Sequence, residues 1–170
     1  MKRIYFTITI LTIIVSNAAI GQYPGKQAGI RTGVSSGFFY QVTDKAGNAE
    51  TGYLAILGFR NSGIQLTGLR VIYETSLSEI SPDLFLVWGY GGHAGFIISD
   101  HVGFLGEKYY FHSERFCSLV GVDAWGAAEY RFRNVPLVIS LNLKPYVELT
   151  VPSFLNIMPA DLGISIAYSF

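Results

Sequence analysis

Cysteine is nearly missing: Cys117 stands alone in 170 residues, so no disulfide can form within the chain. Charge is scarce as well. Only 14% of residues are Asp, Glu, Lys or Arg, against about a quarter in soluble domains. Twelve basic side chains match twelve acidic ones, which leaves no positive excess for a nucleic-acid partner. Beyond residue 21 there is no apolar run of the roughly 18 or more residues that a transmembrane helix requires. A helical membrane protein is therefore disfavoured.

Apolar residues are plentiful. They make up half the chain, together with 19 Gly, 12 Phe and 11 Tyr. Residues 1–21 read as a secretory signal peptide. Lys2 and Arg3 precede the apolar stretch 4–15, and Ala19 and Gly21 are small residues suited to a cut before Gln22. Export leaves residues 22–170 as one domain, with two more acidic than basic side chains. A lone cysteine in an exported chain is buried or reactive, and an inert Cys117 is expected.

The remaining apolar residues alternate. Leu162, Ile164, Ile166, Tyr168 and Phe170 share one strand face, and Gly163, Ser165, Ala167 and Ser169 share the other. Leu137, Ile139, Leu141 and Leu143 alternate with Val138, Ser140, Asn142 and Lys144. A bulge at Lys144 and Pro145 is expected if Tyr146 is to join the apolar face. Val120, Val122, Ala124, Ala128, Tyr130 and Phe132 oppose Asp123, Trp125, Glu129 and Arg131.

The first half repeats the pattern. Ile30, Val34, Phe38 and Tyr40 oppose Arg31, Gly33, Ser35, Gly37 and Gln41 in what reads as one strand. Tyr53, Ala55, Leu57 and Phe59 oppose Leu54, Ile56, Gly58 and Arg60. Ile64 and Leu66 share a face, and Leu69, Val71 and Tyr73 share one in the opposite phase. A bulge at Thr67 and Gly68 reconciles them. Leu86, Trp88, Tyr90, Ala94 and Phe96 oppose Gly89, Gly91, His93 and Gly95.

Lipid offers no partner to a backbone N–H, so a chain crossing it with strands must close them into a barrel. Bacterial outer-membrane barrels have even strand numbers. These seven runs therefore need an eighth, expected at residues 103–112. The fold predicted is all-β, an eight-stranded antiparallel transmembrane barrel. Turns at Asn61 and Pro136 then fall on the periplasmic side, and longer loops at 44–50, 76–83 and 151–160 on the outer side. Phe59, Phe132, Tyr168 and Phe170 form an inner-rim girdle, and Phe38, Tyr40, Tyr73 and Tyr146 an outer one.

These runs, with GYGGHAGF at 89–96, GVDAWGAAEYRF at 121–132 and the ending ISIAYSF, resemble the small Gram-negative outer-membrane β-barrel proteins of the eight-stranded, porin-like and opacity-type group. The resemblance spans nearly all of residues 22–170. It implies the cell outer membrane as location, with outer-membrane lipid and lipopolysaccharide as surroundings. Ile166, Tyr168 and Phe170 resemble the C-terminal signal read by the barrel-assembly machinery. The group includes adhesive, stress-response and structural members, so a fold does not name a function.

The phases point Arg31, Arg60, Arg70, Glu74, His93, Asp123, Glu129, Arg131 and Lys144 inward. An eight-stranded interior is just wide enough for side chains, and an unpaired buried charge costs several kcal/mol. A closed, structural network of paired charges is expected, in a monomer without a cofactor. His93 reads as an interior histidine, since no second His or Cys has ligand spacing to it. Two clusters carry catalytic residue types: Ser99-Asp100-His101 and His112-Ser113-Glu114. The second distantly resembles small outer-membrane lipid A deacylases, which use Ser, His and Glu at a strand end. Neighbours on a strand point to opposite faces, however, which separates His112 from Ser113. No enzyme is expected. A deacylase-like enzyme and a soluble secreted lipid-binding barrel remain as alternatives.

Overall fold

The computed structural model describes residues 25–46, 49–60, 63–74, 80–104, 107–151 and 154–170; the side chains of 45, 46, 49, 99–104, 107–112 and 154 are not described. The expected signal peptide, 1–21, lies outside the described residues. The described chain is all strand and turn. Its segments are β1 (Lys26–Arg31), β2 (Ser36–Ala46), β3 (Ala49–Arg60), β4 (Gly63–Glu74), β5 (Leu84–Phe104), β6 (Glu107–Arg131), β7 (Leu137–Leu143), β8 (Tyr146–Val151), β9 (Phe154–Met158) and β10 (Leu162–Ser169).

Ten segments make eight wall strands. β7 and β8 are one strand, because both pair with β6 in one continuous register, Gly126 opposite Leu143 and Asp123 opposite Tyr146. β9 and β10 form the next strand, pairing with β8 and β7 respectively. Each remaining strand pairs antiparallel with its chain neighbour, and β1 closes the circle against β10. Closure removes the free edges that an open sheet would expose.

The eighth strand is not where the sequence pattern puts it. The run through Arg31 and Gln41 is two strands, β1 and β2, joined by a turn at 32–35. Gly33 there has φ +148°, and a Cβ on it would lie 2.6 Å from Asp161 Oδ1. The turn keeps even-numbered residues outward on both sides, so alternation alone hides it. Residues 103–112 are instead the tip of the β5–β6 hairpin. This hairpin outruns its neighbours: β4 pairs with β5 only to Phe96, and β8 with β6 only from Ser118.

The corrected count moves the connections. Both described chain ends, the last residues of β2 and β4, the first residues of β3 and β5, and the 132–136 turn lie at one end of the barrel, here the terminal end. The 32–35 turn and the connections after Arg60, Phe104 and Val151 lie at the far end. The turns near Asn61 and Pro136 are thus at opposite ends. Residues 44–46, 49–50, 151 and 154–158, expected in long loops, are strand.

Both expected bulges are also corrected. β4 pairs through Thr67 and Gly68 without a shift. Its burial alternates strictly, with Leu69, Val71 and Tyr73 inside. Lys144 and Pro145 likewise keep register, and Tyr146 is buried inside rather than facing out. The irregularity sits across the ladder. Between Met158, opposite Tyr146, and Leu162, opposite Leu143, the β9–β10 strand has one residue more than its partner. Pro159 and Ala160 take up that extra residue on the exposed side. Proline donates no ladder bond, so an irregular site suits it.

The seam between β1 and β10 is tight. A Cβ on Gly29 would fall on the Ile166 carbonyl oxygen and 2.7 Å from Ala167 Cα. Gly29→Val should therefore weaken closure by about 1–3 kcal/mol, read as a lower urea midpoint. An unchanged midpoint would mean the seam tolerates a side chain.

Candidate functional site

Every wall strand divides its side chains between a lumen and an outer wall, and the lumen holds the chemistry-bearing groups. They lie in layers. The layer nearest the terminal end is polar. Arg131 Nε donates to Glu129 (2.7 Å) and its Nη2 to Glu50 (2.8 Å). Its guanidinium also lies over the rings of Tyr73 (4.6 Å) and Phe85 (4.5 Å), a favourable cation–π placement. Gln27 donates to Glu129 (3.2 Å), the Tyr73 hydroxyl donates to the same carboxylate (3.3 Å), and Gln41 hydrogen-bonds Tyr73.

The middle layer is apolar: Leu54, Ile56, Leu69, Val71, Val87, Trp125 and Ala127. Phe39 and Phe85 pack against it. Beside it an internal cavity of about 20 Å³ is lined by Gln27, Arg31, Gln41, Glu129 and Trp125, among others. That is space for roughly one water molecule, not for a ligand or an open conduit.

The upper layer is a chain of ion pairs. Arg60 grips Glu148 with both terminal nitrogens (2.6 and 2.9 Å) and donates to the Tyr146 hydroxyl (2.9 Å). Such two-pronged contacts are the strong, geometrically specific ones. Asn156 donates to Glu148 (2.8 Å). His93 lies between two carboxylates, with Nδ1 2.7 Å from Asp123 and Nε2 3.3 Å from Glu148. The doubly protonated ring is the form in which both contacts are N–H···O bonds. Lys144, fully buried, donates to the other Asp123 oxygen (3.2 Å).

Arg31 is the second anchor. It donates to Asn142 (2.8 Å), to Asp161 Oδ2 (3.2 Å), to the Asp161 carbonyl (3.0 Å) and to the Ser35 carbonyl (3.0 Å). Asp161 also accepts from the Ser35 hydroxyl (2.9 Å) and the Val34 N–H (2.8 Å). The bulge is what turns Asp161 inward to meet Arg31. Beyond this layer Ile97, Cys117 and Leu119 form a small apolar cluster at the far mouth. Cys117 is buried and free.

Arg31, Arg60, His93, Asp123, Glu129, Arg131 and Lys144 therefore all lie in the lumen, in three hydrogen-bonded groups: Arg131 with Glu129, Arg60 with His93, Asp123 and Lys144 through Glu148, and Arg31 with Asp161. Arg70 and Glu74 do not: both lie exposed on the outer wall, because β4 runs without a bulge. Three acidic partners escaped the sequence reading: Glu50, Glu148 and Asp161. Glu50 falls in a stretch whose sequence reads as polar loop, and the expected bulge at Lys144 and Pro145 puts Glu148 on the outer face. Its i+4 spacing from Lys144 on an alternating run was the available clue. Among the described residues, with His93 as the imidazolium, five cations (Arg31, Arg60, His93, Arg131, Lys144) face five carboxylates (Glu50, Asp123, Glu129, Glu148, Asp161). Burial of ions is tolerable only with such pairing.

The outer wall carries Ile166 and Phe170 exposed and Tyr168 half-buried, on one face. Ser113 and Glu114 are exposed on the far hairpin. The side chains of His112 and of Ser99, Asp100 and His101 lie outside the described residues. Among the described residues, no group of three or more His, Cys, Asp or Glu side chains is placed to hold a metal ion.

Glu148→Gln removes a charge from between Arg60 and His93. It should cost about 3–5 kcal/mol, and Arg60→Met combined with Glu148→Leu should cost less than the two single changes added. Gly121→Val should also destabilise, because a Cβ there would sit 2.5 Å from His93 Cε1. Urea titrations of the five variants, both single changes of the pair included, check these values; strict additivity would show that the pair acts as independent ions. Comparison of the chain with protein-family models, with curated proteins and with solved structures finds no match, so its chemistry is argued from these residues alone.

Proposed function

We propose that this chain is an integral outer-membrane β-barrel with a filled lumen, serving a structural or surface-interaction role rather than catalysis. One observation carries the reading: the outer wall is apolar around the barrel, while the buried ions are inside. On β7 and β8 the outward residues Leu137, Ile139, Leu141, Leu143, Pro145, Val147, Leu149 and Val151 form an unbroken apolar row. β6 adds Phe116, Val120, Val122, Tyr130 and Phe132. Soluble monomers rarely expose contiguous apolar patches beyond a few hundred Å².

The distribution of rings and charges supports the same reading. Tyr40, Tyr53, Trp88, Tyr90, Tyr130 and Tyr168 belong to the outer wall in its terminal half, where amphipathic rings suit a membrane interface. Lys26, Asp44 and Glu74 lie near strand ends. The occupied lumen weighs against a soluble lipid carrier, which needs an apolar cavity larger than the one present. Lipid and lipopolysaccharide are the expected surroundings, and the outward row Ile166, Tyr168 and Phe170 suits recognition by the barrel-assembly machinery. The proposed unit is a monomer.

Membranes from cells expressing the full chain test this. The protein should resist carbonate extraction, require detergent, and migrate differently when unheated and boiled. Release by carbonate, with one mobility, would overturn the reading. Purified protein in planar bilayers should give no steady conductance, and a stable single-channel step would contradict the filled lumen.

A further inference from the structure

Among the described residues, the apolar belt of the outer wall carries one basic group. Arg70 sits in a cross-strand row with Tyr53 on β3 and Tyr90 on β5. Among the described residues it has no ion-pair or hydrogen-bond partner. Directly beyond it, toward the far end, the next row is Ala55, Gly68 and Gly92. Three small residues side by side on adjacent strands leave a notch, and a Cβ on Gly68 would meet nothing within 4 Å. The notch opens on the outer wall between Tyr40 and Tyr90, with Arg70 on its rim.

We propose that this notch holds one anionic phospholipid, its phosphate on Arg70 and an acyl chain over Gly68. The proposal rests on the membrane reading above. The charge and the dent are complementary to that occupant in order as well as kind. Arg70 stands toward the terminal end, level with tyrosines that suit an interface, and the notch continues toward mid-wall, where Leu57 and Leu66 follow. An unpaired arginine facing hydrocarbon is costly, and a lipid phosphate offers the two-oxygen geometry a guanidinium matches. Small residues at Ala55, Gly68 and Gly92 let a chain lie against the backbone, as a larger side chain would prevent. Glu74, four residues nearer the strand end, is about 13 Å along the strand, beyond a Debye length at physiological salt.

The reporter is a tryptophan placed by Leu66→Trp in a Trp88→Phe background: Leu66 is exposed on the outer wall one row beyond Gly68, on the side where the acyl chain lies, while Trp125 is buried in the lumen and adds only a constant background. The full chain is refolded into phosphatidylcholine vesicles containing a minor fraction of brominated phosphatidylglycerol, or of brominated phosphatidylcholine as reference. Quenching of this reporter should favour the anionic lipid roughly fivefold, the size expected of one arginine near a membrane surface. Arg70→Gln should abolish the preference, Arg70→Lys should retain part of it, and Gly68→Leu should reduce quenching by both lipids. Neither site has a neighbour to clash with, and heat-modifiable migration verifies that each variant folds. Equal quenching by both lipids in the reporter chain, or a preference unchanged in Arg70→Gln, would overturn the site while leaving the membrane reading standing. Failure to enter vesicles would overturn both. A detergent-solubilised dimer that Gly68→Leu converts to monomer would assign the notch to a second copy of the chain instead.

Discussion

Closure of the sheet is the constraint from which the rest follows. Once β1 pairs with β10, each residue of a wall strand has two possible destinations, lumen or outer wall, and its parity decides which. A one-residue slip would exchange the two sets wholesale. The single extra residue in the β9–β10 strand is therefore consequential: it brings Asp161 to the inside, where Arg31 waits. Removing that irregularity would not merely straighten a strand; it would send a carboxylate outward and leave a buried guanidinium with neutral partners only, Asn142 and Ser35.

The narrowness of the lumen explains its layered filling. Eight strands enclose only enough width for side chains, so bulky and polar groups must alternate in height. The apolar layer around Leu54, Val71 and Trp125 separates the Arg131 group from the Arg60–Glu148–His93–Asp123–Lys144 chain. Glycines make room where a large group enters: Gly121 faces the His93 imidazole, and Gly33 and Gly163 flank the Arg31 guanidinium. Buried ion pairs contribute little net stability against apolar replacements of similar shape. Their value here lies in specifying one register among several that alternation alone would permit.

Much of the wall was legible from spacing. Residues 117–131 of β6, all of β7 and β10, and most of β3 and of 84–98 in β5 show clean alternation, and burial follows it. The reading failed where both parities are apolar or where a turn preserves parity. In β4, Leu69, Val71 and Tyr73 look fit for lipid, yet they complete the interior layer opposite Leu54 and Trp125. The assumption that every large apolar side chain faces outward forced a bulge that β4 does not have, and with it an inward Arg70. At 32–35 the even residues stay outward through the turn, so only Gly33 marked the break. Pro145 suggested irregularity at the correct height but on the wrong strand. Glu50 and Asp161 were hidden because a partner across the barrel leaves no local trace in sequence, whereas Glu148 shares the parity of Lys144 and was hidden by the bulge expected between them.

The account stands on the outward-facing set meeting hydrocarbon. Nitroxide labels at positions 141 and 147 of the outer wall, in a Cys117→Ala background and in lipid bilayers, measure this directly through collision with oxygen and with a water-soluble nickel chelate. The account predicts strong collision with oxygen and weak collision with nickel at both positions. Strong nickel collision there would place the apolar wall in water and contradict it.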